Sequence, residues 1–258
     1  MEQRFPSRQE RRRFITVFGR KTVHEALLDR SLSAHTLHLA ESNRSNKLLT
    51  ELEAIATARD IPIRWHTRQE LARISRNSKQ DQGVALDVKS PHMQELADFL
   101  AANSNRPSLR FIALDGVTNP QNLGMVIRSV TASGIDGLLL PDHGGPALGP
   151  LVIKASAGTA FRAPLLRCQS ILEGAELLLE QNFSLYRLQA NGDQATFIAG
   201  DFADKSLCIL GGETNGISRP LQALPGIDVA IPMHNDVESL NVAVSASLLA
   251  YKLATTPG

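Results

Sequence analysis

The chain has 258 residues, of which 43% are hydrophobic and 21% are charged, and its formal net charge is +1. These values are typical of a soluble globular protein with one large domain or two ordinary ones. No apolar run approaches the roughly 18 residues needed to cross a bilayer, and the charged N-terminus differs from a secretory signal. Because the two cysteines form no metal-type cluster, we expect a cytoplasmic protein that binds no metal and no membrane.

The N-terminal end of the chain is markedly basic. Residues 1–21 contain seven Lys or Arg and two Glu, which leaves 20 basic and 24 acidic residues in the remainder. We predict a flexible arm at residues 1–15 that attracts phosphate groups non-specifically. The alternative is a solvated tail whose charge only keeps the chain soluble.

Residues 16–90 alternate between short apolar strands and amphipathic helices. The predicted strands are HTLHLAES, IPIRWHT and QGVALDV, and the predicted helices lie in VFGRKTVHEALLDRS, NKLLTELEAIATARD and QELARISRN. This alternation predicts a small α/β domain. In residues 91–108, Pro and Ser/Asn clusters surround one short helical stretch, and we interpret this segment as a linker.

The same alternation resumes at Arg110 and continues to the C-terminus. The predicted strands are FIALDGV, DGLLLPD, PLLRC, SLYRLQA, LCILGG and VAIPM, and the predicted helices are NLGMVIRSVTASG, PLVIKASAGTA, ILEGAELLLEQN and NVAVSASLLAYKLA. Short apolar strands that alternate with helices indicate a buried parallel sheet. We therefore predict an α/β domain with a largely parallel sheet for residues 109–258.

Three polar clusters interrupt this alternation, each where a predicted strand ends. The first is NPQNLGMVIR, in which Asn122 precedes a predicted helix and is a candidate N-cap. Gly124 lies four residues before Arg128, so the two share one helix face. The missing side chain lets a ligand or another backbone approach the arginine. The alternative is a capped helix with an arginine exposed to solvent.

The second cluster is LGGETNG, in which an apolar strand runs into Gly211, Gly212 and Glu213. Glycines after a strand suit a tight turn whose amides face a ligand, as in nucleotide sites. The sequence is neither GxGxxG nor a P-loop, so a plain surface turn is the alternative.

The third cluster is IPMHNDVESLNVAVSAS, in which a predicted strand ends at Met233 and a polar loop leads to the last helix. Ser239 is placed as the N-cap of that helix, and the Asn241 amide lies beside the helix end. A hydroxyl, an amide and helix-end N–H groups together favour a polar or anionic ligand.

Taken in order, these three clusters resemble the motifs of the SpoU (TrmH) family of RNA ribose methyltransferases in the SPOUT superfamily. The resemblance covers residues from about 110 to the C-terminus, and its third motif is the most specific. GRKTVHEAL and QGVALDV resemble the ends of the small substrate-binding domain found before the catalytic domain in rRNA-modifying members. Many relatives carry His before QGV, where this chain has Asp81. This difference concerns the detailed contacts with RNA and not the presence of the domain.

The resemblance implies a SPOUT domain with a deep trefoil knot, a known exception to the rule that chains avoid knots. It also implies a homodimer formed through this domain and a molecule of S-adenosylmethionine bound inside the knot in a bent form. The two glycines of the pocket would leave space for the adenosine. The implied pocket residues are Leu210, Gly211, Gly216, Ile231, Met233 and Leu240.

The implied reaction moves a methyl group from a sulfonium to a ribose 2′-hydroxyl, with rRNA favoured over tRNA because tRNA-modifying members often lack the N-terminal domain. Arg128 stays protonated, so we expect it to stabilise the developing alkoxide while a phosphate oxygen or water takes the proton. Glu213 is the natural carboxylate partner of an arginine. The residues implied to orient Arg128 and the knot loops are Asn122, Glu213, Ser239 and Asn241.

Other functions stay open at this point. A tRNA 2′-O-methyltransferase and a non-catalytic RNA-binding relative acting in ribosome assembly share the same motifs, although the five intact polar residues argue against a decayed site. A dinucleotide-binding Rossmann enzyme would use Asp115-Gly116 as its loop and Asp142 as its ribose acid. The sequence lacks the glycine fingerprint of such an enzyme, and this hypothesis gives the third motif no role.

Overall fold

A computed structural model describes residues 14–30, 32–43, 47–142, 145, 148–199 and 202–255. These residues separate into two compact units, the first formed by the chain up to Pro91 together with Leu148–Lys154 and the second by the rest. Residues 1–13 of the predicted basic arm lie outside the described residues, and its last two residues begin the first strand. Within the described ranges, none of the helices is long and apolar enough to cross a membrane.

The first unit is a small α/β fold, as the sequence predicted. Its sheet is mixed, with the strand order β1-β4-β2-β3, because β4 returns antiparallel between β1 and β2 while β3 runs parallel to β2. The elements in chain order are β1 (Phe14–Phe18), α1 (Arg20–Leu28), β2 (Ala34–Ala40), α2 (Lys47–Ala58), β3 (Ile63–His66), α3 (Arg68–Ser75) and β4 (Val84–Lys89).

Asp81 shapes the turn that leads into β4. Its side chain is buried, with Oδ1 accepting the Gly83 N–H at 2.9 Å and Oδ2 accepting the Ser75 hydroxyl at 2.8 Å. Gln82 and Gly83 both have left-handed backbones, with φ of 52° and 77°, and the carboxylate holds this unfavourable turn in place. Asp81 is therefore a structural residue of the loop.

A chain of polar side chains crosses the sheet of the first unit, with one residue from each strand. The Thr16 hydroxyl donates to Asp87 Oδ1 at 2.7 Å, His38 Nε2 lies 3.1 Å from Asp87 Oδ2, and His38 Nδ1 lies 2.9 Å from His66 Nε2. Because the carboxylate accepts from His38 Nε2–H, a neutral His38 must accept from His66 Nε2–H. His66 Nδ1 is then a buried acceptor, and it has no hydrogen-bond partner among the described residues.

Burial and the proximity of His38 lower the pKa of His66. Burial opposes ionisation of Asp87, but the hydrogen bonds from His38 and Thr16 outweigh it and lower the pKa of Asp87. The polar chain therefore favours a neutral His66 and an ionised Asp87.

The second unit contains the predicted parallel sheet. The elements that follow Pro91 are β5 (Gln94–Glu95), α4 (Leu96–Ala102), β6 (Leu109–Asp115), α5 (Pro120–Ser133), β7 (Gly137–Pro141), α6 (Pro150–Ala155), a 3-10 turn (Thr159–Phe161), β8 (Leu165–Cys168), α7 (Ile171–Glu180), β9 (Ser184–Asp193), α8 (Gln194–Ala199), β10 (Lys205–Gly211), α9 (Arg219–Ala223), β11 (Ile227–Val229) and α10 (Val242–Thr255). Of these, α6 up to Lys154 belongs to the first unit. The seven strands have the order β11-β9-β10-β6-β7-β8-β5. Each neighbouring pair of strands is parallel. The trefoil knot stays a prediction.

Residues 91–108, predicted to be a linker, carry packed structure. Here β5 pairs with β8 at the edge of the seven-stranded sheet, and α4 follows it directly. Leu96 is buried, and Phe99 and Leu100 pack against the core of the second unit. The spacing of these apolar residues by three and four indicates a helix that packs on a core, which the flanking Pro and Asn residues had obscured.

Of the predicted strand VAIPM, only Val229 lies in a strand, because β11 covers Ile227–Val229. β11 ends at Val229, and residues 230–241 are irregular up to the start of α10. Pro232 lacks an N–H and cannot donate to a strand ladder, so the extended pairing stops before it. This leaves a loop of the third motif at the end of the sheet.

Candidate functional site

The first motif lies where β6 ends. Asn119, rather than the predicted Asn122, is the N-cap of α5: its side chain accepts the Gln121 N–H at 2.8 Å, and Pro120 occupies the first helical position. Asn122 is a buried residue of the first helical turn. Its side chain is therefore free to face the site.

The second motif is a turn packed backbone against backbone. A Cβ on Gly211 would lie 2.1 Å from the Gly216 carbonyl carbon, and one on Gly212 would lie 2.4 Å from the Gly116 oxygen. The expectation that ligand space dictates Gly211 is thus wrong, because the chain itself fills that space. Gly216 differs, since its φ is 62° and no atom lies within 4 Å of an added Cβ.

Asp115, which the sequence reasoning gave no role in this site, ties the first two motifs together. Its Oδ2 accepts the Ser218 N–H at 2.6 Å, just beyond the turn of the second motif. An acidic residue at the carboxyl end of a central parallel strand, followed by a glycine, was the available signal.

The third motif starts the last helix with Asn241 instead of Ser239. Asn241 Oδ1 accepts the Ala243 N–H at 2.9 Å, which is the hydrogen bond of an N-cap. Ser239 is exposed in the loop before the helix.

Three predicted catalytic residues form one hydrogen-bonded group, which we call the amide–carboxylate cluster: Asn122, Glu213 and Asn241. Both amide Nδ2 groups donate to Glu213 Oε1 at 2.9 Å, and Asn241 Nδ2 also lies 3.2 Å from Asn122 Oδ1. Neutral amide donors therefore satisfy the carboxylate. The expected arginine partner of Glu213 does not occur among the described residues.

A cleft of about 310 Å³ adjoins this cluster. Its volume lies at the lower end of the range of small-molecule sites. All six predicted cofactor residues line it, together with Glu213 and Ser239. Three residues in the middle of β9, where its pairing with β10 ends, also line the cleft, and the sequence reasoning missed them; these residues are Leu188, Gln189 and Ala190.

Arg128 is separated from these residues. It is exposed, it does not line the cleft, and it has no hydrogen bond or ion pair within the part of the chain that the structure describes. Each helical residue rotates by about 100°, so six residues place Arg128 roughly a third of a turn away from the Asn122 side chain. A single chain thus brings together four of the five predicted catalytic residues, but not Arg128.

The two cysteines are buried and do not line the cleft. Burial raises the pKa of Cys168 to about 12 and also raises the pKa of Cys208, so neither is a thiolate at neutral pH. Among the described residues, no group of three or more His, Cys, Asp or Glu is arranged to hold a metal ion.

Comparison with known proteins matches both units. Residues 110–251 match the model of the SpoU rRNA Methylase family, and residues 16–94 match that of RNA 2'-O ribose methyltransferase substrate binding. A protein named "Uncharacterized tRNA/rRNA methyltransferase" from Mycobacterium ulcerans is 31% identical over 253 residues, covering 98% of this chain and 81% of that protein. A tRNA/rRNA methyltransferase from Mycobacterium leprae, also named as uncharacterized, is 32% identical over 239 residues, covering 93% of this chain and 76% of that protein.

Solved structures share the fold. The SpoU methyltransferase AviRb from Streptomyces viridochromogenes, in complex with AdoMet, has a TM-score of 0.67 at 23% identity, covering 96% of this chain and 93% of that one. An RNA methyltransferase of the TrmH family from Porphyromonas gingivalis, described as putative, has a TM-score of 0.65 at 21% identity, covering 96% and 92%. With the two family matches running from residue 16 to residue 251, this chain belongs to the SpoU family of RNA methyltransferases.

Proposed function

We propose that this protein transfers a methyl group from S-adenosylmethionine to a ribose 2′-hydroxyl of RNA, and that this RNA is ribosomal. The observation that carries the proposal is the cleft lined by all six predicted cofactor residues, with the amide–carboxylate cluster beside it. A cytoplasmic location would give the protein access to this substrate.

The cleft suits the proposed cofactor. Gly216 faces open space, and apolar side chains of Ile231, Met233 and Leu240 line the cavity around the backbone of Leu210–Gly212. Such a surface holds a nucleoside by packing and by backbone hydrogen bonds. When bound, the cofactor would supply an electrophilic methyl group on a sulfonium. AviRb, a structure of the same fold, was crystallised with AdoMet.

The amide–carboxylate cluster positions the loops around the reacting groups. Glu213 is held by two amides, and Asn241 connects that carboxylate to the first turn of α10. These hydrogen bonds hold the turn of the second motif and the start of α10 in place before substrate binds. Preorganised geometry of this kind removes entropy cost from the transfer step. Ser239 is exposed, lines the cleft and lies two residues before Asn241 of the cluster, so its hydroxyl is available to a bound ligand.

Arg128 would stabilise the alkoxide that forms as the 2′-hydroxyl loses its proton to a phosphate oxygen or water. Its guanidinium stays charged at neutral pH and suits an RNA phosphate as well. On the isolated chain it lies on the outer surface of α5. Its role therefore depends on what covers that surface.

We propose a homodimer that uses the outer face of α5 and α10. The two helices run side by side in the same direction, because Asn241 contacts Asn122 and, further along, Ser247 Oγ lies 2.6 Å from Ser129 Oγ. Their outer face exposes large apolar side chains: Met125 (41%), Val244 (48%), Leu248 (44%) and Tyr251 (51%). Apolar residues at this spacing on an exposed helix face are typical of an interface. Covering them would enclose Arg128 and strengthen its electrostatic effect.

The first unit supports the choice of ribosomal RNA. Its match to a substrate-binding family gives the chain a second RNA-contacting unit, which tRNA-modifying members often lack. Transfer RNA is the second candidate substrate, because the curated relatives carry names that include both RNAs.

The test combines binding and transfer. Calorimetry with S-adenosylmethionine comes first, since a non-catalytic relative would fail to bind it. The purified protein is then incubated with radiolabelled cofactor and with rRNA or tRNA from a strain that lacks the gene, and ribose methylation is mapped by alkaline hydrolysis. We expect label at a 2′-oxygen of rRNA. Label on a base, or no label with cofactor bound, would contradict the proposed reaction; label on tRNA alone would overturn the choice of rRNA.

A further inference from the structure

The charged residues of the cleft are acidic. Among the described residues that line it, the ionisable side chains are those of Glu213 and Glu238. That part of the lining contains no Lys, Arg or His. A cleft walled by carboxylates attracts a cationic ligand more than a neutral one.

The two carboxylates differ in their surroundings. Glu213 accepts two amide hydrogen bonds at Oε1, so fixed dipoles offset part of its charge. Glu238 is exposed, and it forms no hydrogen bond or ion pair with any residue that the structure describes. The uncompensated negative charge of the cleft is therefore that of Glu238.

Glu238 belongs to the loop that walls the cleft. It directly precedes Ser239 and Leu240 and follows Met233 in the irregular segment before α10, and all three of those residues line the cavity. Asn235 and Asp236 turn this segment through left-handed backbone, with φ of 57° and 58°. The turn brings a side chain five residues beyond Met233 back to the same cavity.

The methyl donor and its product differ by one charge. S-adenosylmethionine carries a sulfonium, an ammonium and a carboxylate, so its net charge is positive, whereas S-adenosylhomocysteine has a neutral thioether and no net charge. We infer that Glu238 is a specificity-determining residue whose carboxylate makes the cleft prefer the cationic donor to the neutral product. This inference rests on the proposed function, because it requires the cleft to hold this cofactor.

The preference has a consequence for turnover. Methyl transfer removes the positive charge from sulfur while the product is still in the cleft, so the attraction from Glu238 ends with the chemical step. The product then leaves more readily, and a new donor competes successfully for the site. A partly hydrated pair of opposite charges changes affinity by about three- to tenfold.

The test measures three ligands on three proteins by titration calorimetry of the full chain. The ligands are S-adenosylmethionine, S-adenosylhomocysteine and sinefungin, in which a protonated amine replaces the sulfonium. The proteins are the wild type, Glu238→Gln and the matched control Asp236→Asn. The control removes one charge from the same loop at a residue that does not line the cleft, and Asn tolerates its left-handed backbone.

We expect Glu238→Gln to weaken binding of the donor and of sinefungin by about three- to tenfold and to change product affinity less than twofold. Asp236→Asn should leave all three affinities unchanged. Raising the salt concentration should narrow the difference in affinity between donor and product for the wild type and for Asp236→Asn, which both keep Glu238, but not for Glu238→Gln. Equal changes for donor and product in Glu238→Gln, or no change for either, would overturn the inference. A wild-type protein that binds none of the ligands would instead overturn the proposed function.

Discussion

Replacing Glu213 tests whether the amide–carboxylate cluster stabilises the second unit. In Glu213→Ala, the Nδ2 groups of Asn122 and Asn241 lose an acceptor that both contact at 2.9 Å. Asn241 keeps the Asn122 oxygen at 3.2 Å. The buried Asn122 Nδ2 keeps no acceptor among the described residues, so it is left both unpaired and away from solvent.

The expected loss follows from these two contacts. A buried donor without an acceptor costs about 1–3 kcal/mol, and a partly exposed hydrogen bond contributes about 0.5–1.5 kcal/mol. We expect Glu213→Ala to lower the free energy of unfolding of the second unit by about 2–3 kcal/mol. Glu213→Gln keeps an acceptor oxygen of similar shape and loses the charge, so its cost should be about 1 kcal/mol.

The chain supplies separate optical probes for its two units. Its single tryptophan, Trp65, lies in β3 of the first unit, and its two tyrosines, Tyr186 and Tyr251, lie in β9 and α10 of the second. Urea unfolding followed by Trp65 fluorescence therefore reports the first unit. Tyrosine emission in a Trp65→Phe background reports the second.

Only the tyrosine-monitored transition should move in the Glu213 variants, with alanine shifting it more than glutamine. The double variant Asn122→Ala/Glu213→Ala should cost less than the sum of the single variants, because each single change removes the same hydrogen bond. Equal shifts of both transitions, or additive costs, would show that the three side chains do not stabilise the second unit as one cluster.

The remaining predictions concern the proposed catalytic arginine, the polar chain, the tight turn and the outer helical face. Arg128→Ala should keep its circular dichroism and cofactor binding but lose methyl transfer by about 100-fold or more, and a near-wild-type rate would refute the assignment. Because the pKa of His66 is lowered in the folded state, the unfolded state binds more protons near pH 6.5. The free energy of unfolding of the first unit, measured by Trp65 fluorescence, should therefore fall as pH drops through about 6.5 and level off below the folded pKa. The variant His66→Gln should remove this pH dependence. In Gly211→Ala the new Cβ would lie 2.1 Å from backbone atoms, so this variant should lower the melting temperature more than Gly216→Ala. In Gly216→Ala the Cβ has open space, and the strain of the left-handed backbone should lower the free energy of unfolding by about 1 kcal/mol. Leu248→Arg should convert a dimer to a folded monomer in light scattering, whereas a wild type that is already monomeric would contradict the proposed interface.

Most of the second unit was predictable because its signals are local. The apolar runs of β6, β7 and β10 are bounded by glycine, proline and polar residues, and the intervening helices show regular apolar spacing. Parallel pairing followed from that alternation, and the pairing of β10 with β6 and β9 agrees with it. Local pattern and global fold agree here, as they do in most natural sequences.

The N-cap residues of the helices were harder to predict from the sequence, because two nearby residues were each of a type that caps helices. Asn119 and Asn122 are both good caps by residue type, and Pro120 decides between them because proline favours the first helical position. Ser239 and Asn241 present the same choice at α10, where the carboxylate of Glu213 fixes the asparagine side chain. That carboxylate is distant in the chain, so no local pattern identifies it.

Asn241 shows why the third motif is more than a helix start. Its oxygen accepts the Ala243 N–H while its nitrogen donates to Glu213 and Asn122, so one side chain both begins the helix and joins the three motifs. An aspartate at this position would cap the helix as well, but it would place a second carboxylate against Glu213 and have no N–H to donate. Only an amide satisfies both neighbours, and this requirement comes from tertiary contact between segments far apart in the sequence. Ser239 is not constrained in these two ways, because it lines the cleft but does not connect the motifs. A change at Asn241 should therefore disturb stability and site geometry together, whereas a change at Ser239 should act on the cleft alone.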